Sequence, residues 1–190
     1  MTQDERQAGE GMSVAAQPGR RGTVRPIRLL GDPVLRTPTD AVTAFDETLA
    51  RLVEDMFASM YAAEGVGLAA NQIGVSLSVF VFDCPDTTGQ HRVGVLVNPR
   101  LVSTGGDVEP DMEGCLSVPG LHYESPRPSF AEAEGVDQTG AAVRFAGDGQ
   151  FARCLQHETD HLNGMVFLDR LRGRTKRRAM RDVLAAEWSQ

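Results

Sequence analysis

Residues 157–161 read His-Glu-Thr-Asp-His, and this pentad decides how the rest of the chain is interpreted. Positions four apart on an α-helix lie on one face, so His157 and His161 can offer two imidazole nitrogens to one metal ion. Glu158 follows His157 directly, where its carboxylate can take a proton from water beside that ion. Neutral imidazoles suit zinc, iron, cobalt or nickel rather than magnesium or calcium. The pentad therefore predicts a helix that carries a metallohydrolase site, and it names no substrate.

A catalytic metal of this kind is expected to have a third protein ligand, and the residues after the pentad do not supply one. Metzincin proteases place a histidine six positions after the second pentad histidine, where this chain has Phe167, which cannot ligate. Gluzincin-type proteases take a glutamate from a downstream helix, and the one glutamate available is Glu187, close to the end of the chain. The third ligand is therefore expected upstream of the pentad.

The upstream candidates are two cysteines and two histidines. Cys154 shares the helical face, but it lies about 10.5 Å from His161 along the axis at ~1.5 Å per residue, too far for one tetrahedral site. We expect it to be a small apolar residue beside the site. His91, in a predicted turn, and His122, in a predicted loop, stay open. Cys115 is favoured, because it lies in a short apolar segment and its thiolate completes a Cys-His-His set for zinc or ferrous iron.

Length and composition fit one globular domain. The 190 residues are 41% hydrophobic and 24% charged, which is ordinary for a folded protein with a proper core. The net charge of −7 argues against DNA as the main partner, since nucleic-acid-binding proteins usually carry a basic surplus. Residues 170–181 are a basic exception, either a solvated helix face or a patch for an RNA-containing partner. No apolar stretch approaches the ~20 residues of a membrane span.

The N-terminal segment, residues 1–22, is polar and rich in Gly and Gln, and it lacks the apolar region of a secretory signal. We predict that it is a disordered extension, and that residues 23–190 form a single catalytic metallohydrolase domain. Three cysteines in a chain without an export signal indicate reduced thiols. We therefore expect a cytoplasmic protein.

Strands that come in predicted hairpins and few helices indicate an α+β fold, with an N-terminal helix, a helix that carries the pentad and a C-terminal helix. Thr43 with Asp46 resembles a capping box at the start of the first helix. Residues 103–128 are rich in Gly and Pro and are predicted to be mostly loop. The predicted elements are a helix over 46–62, paired strands over 75–84 and 92–102, a hairpin over 129–136 and 141–145, the pentad helix from about 150 to 163, and a last helix over 175–188.

Three segments together resemble the peptide deformylase family. Residues 65–72, Gly-Val-Gly-Leu-Ala-Ala-Asn-Gln, are similar to its first motif; residues 113–117, Glu-Gly-Cys-Leu-Ser, to its second; and residues 156–161, Gln-His-Glu-Thr-Asp-His, to its third. They occur in the family's order, and the resemblance extends from about Ile27 to the last helix. It implies a pentad helix surrounded by antiparallel sheets. It also implies metal-dependent removal of the formyl group from N-terminal formyl-methionine of newly made bacterial polypeptides, with release of formate.

The resemblance also implies the residues of the metal chemistry. Cys115, His157 and His161 match the family's metal ligands, and Glu158 matches its general acid/base. One divalent ion is implied per chain, with ferrous iron as the expected metal and zinc or nickel as alternatives that the same ligands accept. The basic residues 170–181 then become a candidate contact with the ribosome, which supplies the nascent chains.

Three further matches and one expected pocket concern substrate recognition. The side-chain amide of Gln72 and the backbone N–H of Leu116 match the donors to the developing oxyanion. Gly67 matches the residue whose backbone aligns the substrate as an added strand. Val66 and Cys154 are expected to line an apolar pocket for the methionine side chain.

Two positions depart from the family pattern. His122 stands where many members have an arginine near the substrate. Arg153 stands one helical turn before His157, in a stretch that is commonly apolar in the methionine pocket; we expect its stem to line the pocket and its charged end to reach solvent. Both changes are expected to affect substrate preference rather than the metal chemistry.

Two other functions share part of the pattern. A different metal-dependent amidase or protease would explain the pentad but not the segments around Gln72 and Cys115. A non-catalytic protein with a structural metal would need four protein ligands and would have no use for Glu158 as a base.

Overall fold

The helix that carries the pentad packs against all five strands of one antiparallel sheet in the computed structural model, which describes residues 18–189. Each strand pairs with its neighbour in the chain, so the strand order is the chain order. This confirms the predicted α+β fold, with one sheet instead of several. The elements are α1 (Glu47–Ala62), β1 (Gly67–Ala69), β2 (Val79–Pro85), β3 (His91–Glu113), β4 (Tyr123–Val136), β5 (Ala142–Asp148), α2 (Gly149–Leu162) and α3 (Gly173–Ala185).

Helix α1 begins one residue after Asp46, which is its N-cap. The Asp46 carboxylate accepts hydrogen bonds from the backbone N–H groups of Thr48 and Leu49 at 2.9 and 3.1 Å. The predicted capping box of Thr43 with Asp46 does not form. Asp46 itself accepts from the free N–H groups of the first turn, whereas Thr43 is exposed and does not. The helix ends before Glu64, whose left-handed backbone (φ 55°) redirects the chain into the segment that carries β1.

Strands β3 and β4 are much longer than predicted. The prediction of a loop over 103–128 was wrong, because β3 continues to Glu113 and β4 begins at Tyr123, leaving only residues 114–122 as a connection. Their pairing contains three register shifts, one of them beside Gly106, whose φ of 73° suits a bulge. Gly106 therefore marks a bulge, whereas Pro110 and Pro126 pair with each other inside the two-stranded ribbon.

Helix α2 packs against an aromatic cluster in the core. Phe151 packs against Phe82 and Phe145, with ring centroids 5.4 and 6.5 Å away, and Leu155 is fully buried in the same core. The helix ends at Leu162, and Gly164, with φ of 71°, ends the turn as the sequence predicts. One face of α2 is buried in this core, so the face that carries His157 and His161 is left to form the site.

Helix α3 closes the structure against the connection between β3 and β4. Ala179 and Val183 pack into a third apolar cluster that includes Tyr123 and Phe167, whereas the arginines of α3 are largely exposed. The helix ends at Ala185, three residues before the predicted end, and Trp188 follows in a short 3-10 turn. Within residues 18–189, no helix combines the length and the apolar character needed to cross a membrane.

The predicted N-terminal extension falls mainly on residues 1–17, which lie outside the described residues. Residues 18–22, which were included in that prediction, form a turn against α1 instead. The Gly19 N–H donates to the Glu54 carboxylate at 3.1 Å, and the Thr23 N–H donates to Asp55 at 2.8 Å. These contacts tie the chain to α1 before residue 23.

The assignment of the α1 cap makes a direct prediction. Replacing Asp46 by Ala leaves two N–H groups of the first turn without their acceptor, and the free energy of unfolding should fall by about 1 kcal/mol. Thr43→Ala is the matched control and should change it by less than about half that amount. Urea unfolding of both variants measures the difference; a larger loss for Thr43→Ala would contradict the assignment.

Candidate active site

Three ligand atoms converge where α2 faces the loop after β3. Cys115 Sγ lies 3.2 Å from His161 Nε2, which lies 3.2 Å from His157 Nε2, and all three atoms are within 4.8 Å of one another. Metal–nitrogen bonds of ~2.05 Å and metal–sulfur bonds of ~2.3 Å place tetrahedral ligand atoms roughly 3.3–3.6 Å apart. The cluster is therefore close to the spacing that one small divalent ion requires, and its thiolate and imidazole donors suit zinc or ferrous iron.

The other candidate ligands lie elsewhere. His91 bonds to the Asp83 carboxylate at 2.7 Å on an exposed part of the β2–β3 hairpin. The His122 ring lies against Gly114, so closely that a Cβ at that glycine would be 2.4 Å from it. Cys154 is buried in the apolar cluster under the site, with its Sγ 3.8 Å from the Val66 carbonyl oxygen. Among residues 18–189, none of the three belongs to the converging cluster.

A buried carboxylate orients the first histidine. Glu113 accepts a hydrogen bond from His157 Nδ1 at 2.6 Å, which turns the Nε2 atom of that ring toward Cys115 and His161. Burial alone would raise the pKa of Glu113, but hydrogen bonds from Arg127 and His157 outweigh it and hold that pKa well below its usual range. A permanently ionised partner on the far nitrogen makes imidazole a stronger and better-oriented ligand.

Arg127 holds that carboxylate and is itself fully buried. Its guanidinium donates to both oxygens of Glu113, at 2.5 and 2.7 Å, and to Asp160 at 3.0 Å. Arg170 binds Asp160 from the other side through two hydrogen bonds of 2.5 and 2.6 Å. The result is a chain of alternating charges from His157 to the segment before α3.

The two histidines have opposite electrostatic settings. Burial lowers the pKa of His161 well below its usual value, and the neighbouring His157 lowers it further. Burial also acts to lower the pKa of His157, but its contacts with Cys115 and Glu113 outweigh burial and raise it. These surroundings favour the neutral form of His161 and the protonated form of His157.

Glu158 is buried at the floor of the cleft, with one oxygen against the β1 backbone. A Cβ on Gly67 would lie 2.5 Å from Glu158 Oε1, while Oε2 has no hydrogen-bond partner within residues 18–189. Burial raises the pKa of this carboxyl to about 7, against the opposing charges of His157 and Arg127. A carboxyl with a pKa near neutrality can both accept and return a proton.

Gln72 lies on the opposite side of the cluster in a buried 3-10 turn, Ala70–Ile73. Its side-chain oxygen accepts from the Ala69 N–H at 2.9 Å, which fixes the amide so that Nε2 faces the site. That Nε2 lies 3.2 Å from Ser117 Oγ and 3.6 Å from Cys115 Sγ. The Ser117 N–H also points at this sulfur, 3.4 Å away, so two donors support a thiolate.

A cleft of about 700 Å³ opens beside the cluster. Val66, Gly67 and Cys154, the predicted substrate-binding residues, all line it, and so do Gln72 and Leu116. The structure therefore brings together every residue to which the sequence assigned a role. The roles of these residues remain predictions.

One expectation about the cleft was wrong. The side chain of Arg153 lines it, but its charged end is largely withdrawn from solvent: the side chain is 13% exposed and the guanidinium contacts Glu113 and backbone carbonyls. Neighbouring acceptors on β3 and β4 hold the charge inside the protein.

Sequence reasoning also missed residues that support the site. Arg127 stands between two prolines in the region predicted as loop, so nothing local marked it as buried. Asp160 lies inside the pentad, three residues after His157, and that position was the one available signal. Glu113 and Ser117 lie within the second motif, but the sequence assigned neither of them a role.

Together, the fold and the site define a metallohydrolase: a Cys-His-His cluster beside a buried carboxyl at the floor of a cleft. Residues 24–177 match the model of the polypeptide deformylase family. The chain belongs to this family.

Known members resemble the chain over nearly its whole length. Peptide deformylase 2 of Streptomyces avermitilis is 57% identical over 173 residues, covering 91% of this chain and 93% of that protein. The crystal structure of a peptide deformylase from Legionella pneumophila is 42% identical, with a TM-score of 0.75 over 84% of this chain and 92% of that one. The enzyme from Synechococcus elongatus in complex with actinonin is 38% identical, with a TM-score of 0.78 over 89% and 94%.

The ligand geometry predicts different outcomes for the two cysteines in the cleft. In the protein reconstituted with Co(II), Cys115→Ala should lose the cobalt–thiolate absorption and most of the metal affinity, because it removes the one sulfur in the cluster. Cys154→Ala is the matched control and should keep both. Loss of the absorption in Cys154→Ala, with retention in Cys115→Ala, would contradict the assignment.

Proposed function

We propose that Cys115, His157 and His161 form the metal centre through which this chain performs the family's reaction. The reaction is the metal-dependent removal of the N-formyl group from the formyl-methionine end of newly made polypeptides. Support comes from the convergence of the three ligand atoms and from the carboxylate behind His157. Residues 23–190 are proposed as the single catalytic domain.

Ferrous iron is the proposed metal, one ion per chain, and zinc or nickel could occupy the same ligands. When bound, such an ion supplies a water of lowered pKa and a Lewis acid for the formyl oxygen. The chain contributes a neutral His161, an oriented His157 and a thiolate that receives two hydrogen-bond donors.

The buried position of Glu158 beside the ligands is the observation that carries the mechanism. Buried beside the ligands and lining the cleft, its carboxylate accepts the proton of the attacking water and later donates it to the departing amine nitrogen. Formate and a polypeptide with a free amino terminus result.

Charge on the former formyl oxygen is met by the chain's own donors. The Nε2 group of Gln72 and the backbone N–H of Leu116 are proposed to donate to this oxygen, and Gln72 is preorganised by the Ala69 N–H. Gly67 is proposed to align the peptide as an added strand, with Val66 and Cys154 contacting the methionine side chain. A side chain at position 67 would strike both Glu158 and Cys154.

The reaction is tested with formyl-Met-Ala-Ser and the Fe(II) protein prepared without oxygen. Formate should be released, and Glu158→Gln should lower kcat roughly 10²–10⁴-fold while keeping its metal, because the amide cannot carry the proton. Glu47→Gln, an exposed glutamate of α1, is the matched control and should be fully active. No formate from the folded, metal-loaded wild type would contradict the proposal.

The same assay separates this function from its rivals. A general metal-dependent amidase would cleave an internal peptide bond of unformylated Met-Ala-Ser at a comparable rate, and a structural metal protein would act on neither peptide. Release of formate without peptide cleavage is the outcome expected here.

We also propose that the exposed face of α3 contacts the ribosome in the cytoplasm. Arg174, Arg177 and Arg181 lie on one exposed face of the helix, at a spacing that suits a phosphate-rich surface. A positive patch on an otherwise acidic protein would be attracted to the phosphates of ribosomal RNA, while the acidic remainder of the surface would repel nucleic acid.

Charge reversal tests this contact. Replacing Arg174, Arg177 and Arg181 by Glu should abolish co-sedimentation with ribosomes at moderate salt and leave formate release from the short peptide unchanged. The same reversal at exposed arginines away from α3, Arg51, Arg100 and Arg144, is the control and should keep co-sedimentation. Equal binding by both triple variants would remove the proposal.

A further inference from the structure

The side chain of Arg153 connects α2 to both β3 and β4. Its guanidinium lies 2.6 Å from the Ser125 carbonyl oxygen on β4 and 3.4 Å from the Asp111 carbonyl oxygen on β3. It also lies 3.3 Å from the Glu109 carbonyl oxygen and 3.2 Å from Glu113 Oε2. One side chain from α2 thus has acceptors at four positions of the two strands.

These acceptors belong to one structural unit. Asp111 pairs with Ser125 in the sheet register, and we call residues 109–113 of β3 with residues 123–127 of β4 the β3–β4 ribbon. Backbone hydrogen bonds hold the two strands to each other. Glu113 and Arg127 bond to α2 at one end of each strand, and Arg153 adds contacts to α2 at Glu109, Asp111 and Ser125. A fork of five donors suits this task, since it can engage several acceptors at once.

The ribbon also forms a wall of the cleft. Asp111, Met112 and Glu113 line the cavity, and so do Arg153 and Cys154 of α2. Met112 is 62% exposed, so its own packing does not hold the wall in place. The separation between the ribbon and α2 therefore sets the width available to a substrate.

Glu113 depends much less on Arg153 than the wall does. Arg127 already binds both of its oxygens at 2.5 and 2.7 Å, and His157 binds one of them at 2.6 Å. The single 3.2 Å contact from Arg153 is the longest of this set. Removing Arg153 should thus loosen the wall at Glu109 and Asp111 and spare the orientation of His157.

We propose that Arg153 is a positioning residue that fixes the β3–β4 ribbon against α2 and so sets the cleft for the substrate. It acts through the backbone of Glu109, Asp111 and Ser125 rather than by touching the reacting atoms. The effect on turnover rests on the proposed function, whereas the effect on the ribbon does not.

The test compares Arg153→Leu, Arg153→Lys and the control Arg144→Leu, which removes an exposed arginine paired with Glu132 on the same sheet. For formyl-Met-Ala-Ser, Arg153→Leu should raise KM roughly ten- to a hundredfold with kcat within about twofold and with full metal content. Arg153→Lys should recover part of the loss, because an ammonium can still reach the Ser125 oxygen. The control should keep the wild-type KM.

Hydrogen exchange supplies a readout that is independent of activity. The amides of residues 109–113 should exchange faster in Arg153→Leu than in the wild type, and those of β5 should not. Unchanged KM and exchange would overturn the proposal, as would a fall in kcat together with metal loss, which would mean that Arg153 acts through Glu113. If the wild type released no formate, the proposed function would fail, and exchange alone would still decide the role of Arg153.

Discussion

The buried ion pair between Arg127 and Glu113 is the interaction on which the metal site depends. A guanidinium with no exposed surface is costly unless its donors are satisfied, and here Glu113 and Asp160 satisfy them from two different elements. Strand β3 supplies one carboxylate, β4 the arginine and α2 the other carboxylate. Moving any of the three would break charge-assisted hydrogen bonds in this buried network. The pair therefore fixes the arrangement of ribbon and helix that places His157 opposite Cys115.

Helix α2 both packs into the core and carries the histidines of the site. One face packs Phe151 and Leu155 into the aromatic core, which holds the helix in place. Another face carries the ligands, while Glu158 lies against the β1 backbone, where a side chain at Gly67 would displace it. Desolvation at that position gives the carboxyl its raised pKa. The packing of this core thus supports both the spacing of the two histidines and the desolvation of Glu158.

The sequence predicted the fold class, the converging residues and the family, because local motifs with fixed spacing carried them. It failed where the determinants were distant in the chain. The glycines and prolines of residues 103–128 look like loop residues until the pairing of β3 with β4 is known, and Arg127 gains meaning only beside Glu113. Arg153 was misplaced for the same reason: its acceptors are 28 to 44 residues away, and three of the four are backbone carbonyls.

The central claim is that an ionised Glu113, held by Arg127, orients His157 for ligation. The affinity of Glu113→Gln for Zn(II), measured by competition with a chromophoric chelator, tests it most directly. The expected result is a roughly 10–100-fold loss of affinity in a protein that is still folded by near-UV circular dichroism, because the neutral amide neither polarises the imidazole nor pairs with the arginine. Wild-type affinity in that variant would contradict the account.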